Sequence, residues 1–318
     1  MKYIVIVMFL TLNYSYGVSI LTPSEEIVVE GVAKDMVLRG KELLIATDNG
    51  VVQVYDYETK VFNKVIRLEK VKDFTGELIP PRVFSVDRYE ERYVLLSDSG
   101  KGGYANLWIH ENNVTSQLLS HTDKIAAIKA RFINKEQILL GLLSNEAVLF
   151  DIKTKKEVFR VQLSESKFSD FALNDNKSQA VYACESGVLN VIDTKIGKVL
   201  KELKSVNVDN VYKVDFKKDI ISGAGQDRRG ALYDVIRGTG KYIEGSFLIY
   251  ATGLSPSTNK VAFAMDEKNN ISIYTRVSSS KIAELQGQKS TLNTIVFKDE
   301  NLLFSSSDDN TVLMWKLP

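Results

Sequence analysis

The stretch Leu302-Leu303-Phe304-Ser305-Ser306-Ser307-Asp308-Asp309-Asn310-Thr311-Val312-Leu313-Met314-Trp315 holds an apolar run, a polar turn and a second apolar run that ends on a large aromatic residue. Asp and Asn tolerate positive φ and close tight hairpins, so the stretch predicts two antiparallel strands joined by a short turn. The same arrangement recurs upstream. Its second run reappears as Val52-Gln53-Val54-Tyr55-Asp56, Ala105-Asn106-Leu107-Trp108, Ala147-Val148-Leu149-Phe150-Asp151, Leu189-Asn190-Val191-Ile192-Asp193, Ala231-Leu232-Tyr233-Asp234 and Ile271-Ser272-Ile273-Tyr274. The large residue falls at positions 55, 108, 150, 192, 233, 274 and 315, at successive intervals of 53, 42, 42, 41, 41 and 41. Chance does not produce five consecutive intervals that agree within one residue.

A period near 41 is the length of one four-stranded propeller blade, and there are seven units. Each anchor has a second apolar run just upstream, such as Leu43-Leu44-Ile45-Ala46, Tyr93-Val94-Leu95-Leu96 and Val261-Ala262-Phe263-Ala264. Turns such as Asp48-Asn49-Gly50, Asp98-Ser99-Gly100 and Glu185-Ser186-Gly187 separate the runs, and none of the five prolines interrupts a central strand. The last unit stops at Pro318, straight after its third strand. Glu26-Ile27-Val28-Val29-Glu30 is free to supply the fourth by pairing beside Val312 to Trp315. Such pairing closes the ring and leaves no long sheet edge exposed. The expected fold is all-β, a seven-bladed propeller that fills residues 18–318 as a single domain.

Residues 1–17 read as a secretory signal peptide. Met1-Lys2 is a short positive start, Tyr3 to Leu12 is apolar apart from Thr11, and Ser15 and Gly17 stand at the minus-three and minus-one positions of a cleavage site. The apolar run is too short to span a bilayer, which takes about 20 residues. No cysteine follows it to take a lipid, so no membrane anchor is expected. The 318-residue chain has 41 Lys+Arg against 40 Asp+Glu, which carries no field to gather nucleic acid or an anionic membrane surface. Its one cysteine, Cys184, forbids an intrachain disulfide and any Cys-based metal centre; set in Ala180 to Cys184, it reads as an inert buried thiol. Export without disulfides points to a bacterial periplasm.

Ser305 to Trp315 resembles strand b, turn and strand c of the WD40 repeat, and Ser222-Gly223-Ala224-Gly225-Gln226-Asp227 resembles the same element. Ser120-His121-Thr122-Asp123-Lys124-Ile125 is similar to the family's Gly-His-x-Asp-x-Val opening. The resemblance covers nearly all of residues 18–318, although individual repeats are degenerate. Gln286-Gly287-Gln288 stands where Gly-His is usual, which weakens the inference of a Ser/Thr–His–Asp–Trp hydrogen-bond tetrad in every blade. By architecture, export and absence of catalytic groups, the chain also resembles the WD40 accessory proteins of bacterial periplasmic nitrate reductase systems (NapL-like). That resemblance implies a role in the maturation of such an enzyme or in electron delivery to it.

Few residues offer chemistry. His110 and His121 are the only histidines and read as structural. Gly253-Leu254-Ser255-Pro256-Ser257 fails the nucleophile-elbow pattern at its last position, and Gly238-Thr239-Gly240-Lys241 lacks the first glycine of a phosphate loop. No cofactor motif, haem attachment site or metal spacing is present. Asp48, Asp98, Asp227, Asp266 and Asp308 recur by repeat. In WD40 blades such an Asp accepts backbone N–H groups in the turn, a structural role. A ring of them near the axis would suit a hard cation, but the spacing does not demand one.

The irregular first interval carries the binding expectation. Three extra residues lie between Asp98 and Trp108, and most of the rest lie in Val71 to Arg82. In a four-stranded blade these two insertions emerge at one end, side by side, and loops raised on a rigid scaffold are where binding usually lives. Phe74, Ile79, Pro80, Arg82 and Tyr104, with Arg228 in the matching hairpin of the fifth blade, are the candidate partner contacts. Two alternatives weigh against this. Phe74 and Ile79 would equally tuck against the blade, and Arg228 would equally sit in a solvated turn. The expected protein is a non-catalytic, monomeric interaction scaffold for a protein partner such as a periplasmic redox enzyme. The rival is a propeller enzyme or small-ligand binder at the axial channel, in the manner of calcium-dependent lactonase or quinone-type propellers.

Overall fold

The computed structural model describes residues 17–318, so the signal-peptide reading of residues 1–17 lies, but for Gly17, outside the described residues. Two short strands come first, β1 (Ser19–Leu21) and β2 (Glu25–Val28). Blade one then runs through β3 (Ala33–Arg39), β4 (Glu42–Thr47), β5 (Val51–Asp56) and β6 (Val61–Arg67). A small hairpin of β7 (Val71–Lys72) and β8 (Leu78–Ile79) precedes blade two, which is β9 (Val83–Tyr89), β10 (Arg92–Asp98), β11 (Ala105–Glu111) and β12 (Val114–Leu119). Blades three to six are antiparallel sheets of the same order over 127–162, 168–203, 211–244 and 252–285. The only helical element among the described residues is a single 3-10 turn, His121–Asp123.

The anchors of the 41-residue period all lie in the third strand of their blades, and the upstream runs form the second. These two strands are buried on both faces, which is why they read as continuous apolar runs rather than as alternating ones. The connecting turns place Gly50, Asn145, Gly187 and Arg228 at positive φ. The fourth strands are largely exposed, as in β6 and in Lys156–Gln162.

Blade seven is built from both ends of the described chain. Leu292–Phe297, Leu302–Ser307 and Thr311–Lys316 supply three strands, and β2 supplies the fourth, antiparallel, with Glu25 opposite Met314 and Ile27 opposite Val312. The seven-bladed ring closes as expected. A second clasp was not foreseen: β1 adds in parallel to the outer strand of blade six, Ser19 opposite Ala283 and Leu21 opposite Leu285.

The core is distributed rather than central. Seven apolar clusters occur, one in each seam between successive blades. The seam between blades seven and one contains Ile27 and Val29 with Met36, Tyr55, Phe304, Val312 and Met314, so the closing strand is part of a packed core.

Candidate functional site

The insertion before blade two is ordered by its own sequence. Asp73 Oδ1 accepts the N–H groups of Thr75 and Glu77 at 2.8 and 2.9 Å, and Gly76 takes φ 91°, so the turn of the β7–β8 hairpin is fixed at its tip. The hairpin is wedged between two neighbours. On one side Pro81 is buried against the turn of blade one, where a Cβ on Gly50 would stand 3.1 Å from Pro81 Cδ. On the other, a Cβ on Gly100 would lie 2.3 Å from the Lys72 carbonyl oxygen, a contact open only to glycine. The two insertions are therefore in backbone contact.

Phe74 crowns this hairpin and is 93% exposed, so it does not tuck against the blade. Ile79 and Pro80 are half-buried beneath it. Arg82 is exposed; it pairs with Asp98 (3.2 Å) and lies 5.9 Å from the centre of the Phe84 ring. Half-buried Tyr104 folds back over Gly102, and its carbonyl accepts the Ser99 hydroxyl at 2.7 Å. Arg228 stands apart. Its turn belongs to blade five, three places round the ring, and it is exposed with φ 62°. Five of the six candidate contacts thus form one rim, and Arg228 is not part of it.

The recurrent turn aspartates tie each turn to neighbouring backbone. Asp48 accepts the Val32 N–H at 2.8 Å, Asp98 that of Arg82 at 3.3 Å, and Asp227 that of Val208 at 2.8 Å, each in the link that enters the blade. Asp266 accepts Lys268 and Asn270 N–H groups within its own turn. Asp308 departs from this habit. It pairs with Lys34 at 2.9 Å and accepts the Asn293 amide, while Asp309 takes the turn N–H of Thr311.

In blade seven, Trp315 Nε1 donates to Ser305 Oγ at 2.8 Å, Ser305 donates to Gln288 Oε1, and Gln288 Nε2 donates to Ser307 Oγ, the last two at 2.7 Å. Gln288 is buried and fills the position where the family's histidine is usual. Asn207 does similar work in blade five, linking the Tyr233 hydroxyl to Asp227. His121 is exposed in its 3-10 turn. His110 is buried, bonded through Nδ1 to Thr115, with its pKa lowered by burial and then by the Lys64 charge. Among the described residues no three His, Cys, Asp or Glu side chains are grouped to hold a metal.

Solved structures superpose on this ring. A chain of the "Crystal Structure of Mitotic Checkpoint Complex" aligns over 100% of this chain and 97% of its own, with a TM-score of 0.76 and 12% identity. The β-propeller domain of Myceliophteria thermophila Cps50 (Swd1) aligns over 93% of this chain and 99% of its own, with a TM-score of 0.72 and 14% identity. The fold is a seven-bladed, WD40-like β-propeller. No family profile and no curated protein matches the sequence.

The propeller's channel carries charge that the sequence reading did not find. The innermost strand of each blade has no further strand beside it, so its N–H groups on that edge need other acceptors. Carboxylates of the preceding blade provide them. Asp35 accepts Val86 N–H (3.0 Å), Asp87 accepts Phe132 (2.9 Å), Asp170 accepts Val214 (3.1 Å) and Asp215 accepts Leu254 (2.8 Å). Cations complete the network. Arg131 grips Asp35 with two bonds of 2.8 Å, Lys129 binds Asp170 at 2.6 Å, and Arg39 binds Asp87 at 2.5 Å. Burial alone would raise the Asp35 pKa, but Arg131, Lys129 and Lys213 overcome it and hold the carboxyl well below its ordinary range. An aspartate in the middle of a strand resembles a solvent-facing residue, and its position shifts from third to fifth between blades. No fixed offset revealed the set.

Proposed function

We propose that this propeller is a non-catalytic docking scaffold whose insertion-bearing rim holds a protein partner, and that it acts in the periplasm as a monomer after removal of residues 1–17. The observation that carries this reading is Phe74, a fully presented aromatic on a hairpin locked between two blades. A hairpin backbone that is held before binding loses little conformational entropy on docking, and an aromatic residue at its tip is the usual kind of anchor. Arg82, set between Asp98 and Phe84, adds a charged contact beside it. Of the two solved structures that superpose on this ring, one is a β-propeller domain and the other a chain of a protein complex, which supports protein partners in general. The partner we infer is a redox enzyme of the nitrate reductase type or its precursor, in keeping with the accessory-protein resemblance.

The test is affinity capture from native periplasm with the wild-type chain and with Phe74→Ala and Arg82→Glu variants. A redox enzyme should be recovered with wild type and lost with the variants, at unchanged melting temperature. Equal recovery by the variants would remove the rim from the function. Recovery of an unrelated partner, lost with the variants, would keep the rim and discard the nitrate reductase role.

A further inference from the structure

The channel interior holds a partly open cavity of about 360 Å³, within the range of small-molecule sites. Six cations line it: Arg39, Lys129, Arg131, Lys177, Lys213 and Lys217. The carboxylates around them are already committed. Asp35, Asp87 and Asp170 each hold a cation and a backbone N–H, Asp215 accepts Phe216 and Leu254 N–H groups with Lys217 at 4.0 Å, and Asp175 accepts the Lys218 N–H. Two lysines are left over. Lys177 donates only to the Phe132 carbonyl, at 2.8 Å, and among the described residues Lys213 joins no ion pair or side-chain hydrogen bond. Lys213 also lines a second cavity of about 250 Å³, together with Lys34, Arg82 and Lys129. It therefore stands where the two chambers meet. The Thr294 hydroxyl, which lines the first cavity, has no hydrogen-bond partner among the described residues. Burial lowers the pKa of both Lys129 and Lys177, so both ammonium groups sit in a partly desolvated space.

We propose that the channel binds a compact polyanion bearing phosphate or carboxylate groups, with Lys213 as its principal contact and Lys129 and Lys177 beside it. A cation is disfavoured here because the oxygen ligands it would need are engaged by arginine, lysine and backbone N–H donors. An anion supplies the missing counter-charge in a partly desolvated space, where each charged contact is stronger than in water.

The proposal is tested by isothermal titration of the full chain with inorganic pyrophosphate and, in a separate arm, with citrate, each against sodium chloride at equal ionic strength. Saturable binding of one molecule per chain is expected in at least one arm, and the arm that saturates tells phosphate from carboxylate chemistry. Lys213→Ala, or Lys213→Gln should alanine fail to fold, should weaken it at least tenfold. Exposed Lys156→Ala should leave it unchanged. The Phe74→Ala variant should bind the anion normally, which keeps this proposal separate from partner docking. No saturation in either arm, or an unchanged dissociation constant in folded Lys213 variants, overturns it.

Discussion

At the scale of single residues, Gln288 shows how a departure from a repeat pattern can preserve its physics. A buried tryptophan N–H, two serine hydroxyls and a carboxamide satisfy one another in a chain with both ends occupied. The amide can do this because it offers both a donor and an acceptor. Gln288→Leu roughly keeps the volume but removes both, stranding two buried serine hydroxyls. A loss of about 1–3 kcal/mol is expected for a buried polar group left unsatisfied, read by urea denaturation. A loss under about 0.5 kcal/mol would be ordinary surface behaviour and would show that water replaces the amide. The substitution was visible in the sequence, at Gln286-Gly287-Gln288, but not its consequence, because only the folded blade brings residue 288 to residues 305 and 307.

At the scale of elements, the two opening strands differ in how they are held. β2 buries Ile27 to 3% exposure in the seam between blades seven and one, and Glu25 accepts the Tyr55 hydroxyl and pairs with Lys60. β1 is three residues long and leaves Ile20 66% exposed. Ile27→Asp should therefore cost about 3–5 kcal/mol, as expected when an unpaired charge replaces a core side chain, whereas Ile20→Asp should stay within about 0.5 kcal/mol. Denaturant midpoints of the two variants check this, and equal midpoints would mean that β2 does not carry the closure. β2 was legible because the last blade lacks a strand and Glu26 to Glu30 has strand composition. β1 was not, since three residues, of which only half-buried Leu21 packs against an apolar cluster, leave no periodic trace. The rim was half legible. The interval of 53 located both insertions, but the backbone contact through Gly100 and the exposure of Phe74 came only from the structure.

At the scale of the whole molecule, seven seams carry the core and a network of charged side chains ties the inner strands together. The period was legible because every blade repeats the same need, two largely buried strands beside one tight turn. The channel network was not, because its carboxylates answer to the blade next door rather than to their own strand. The network has a pH signature. Asp35 has a folded pKa below its ordinary value of about 4, so its contribution is fully present above that value and is lost as the pH falls through the folded one. Acid unfolding of the wild type should steepen below about pH 4. Asp35→Asn should be less stable at neutral pH by about 3–5 kcal/mol, since Arg131 is left buried without its counter-charge, and its stability should change less across the acid range. Parallel acid limbs for the two proteins would show that Asp35 does not drive the transition.

The pairing of residue 25 with residue 314 also sets an order of events. A strand that must wait for a partner almost three hundred positions away stays unmatched until residue 314 has been synthesised. Until then the growing chain is an open arc with a bare edge at each end, and its last seam has nothing to pack. Closure of the ring is therefore the last step of folding, and residues 25–28 stay accessible until the final blade is present to receive them.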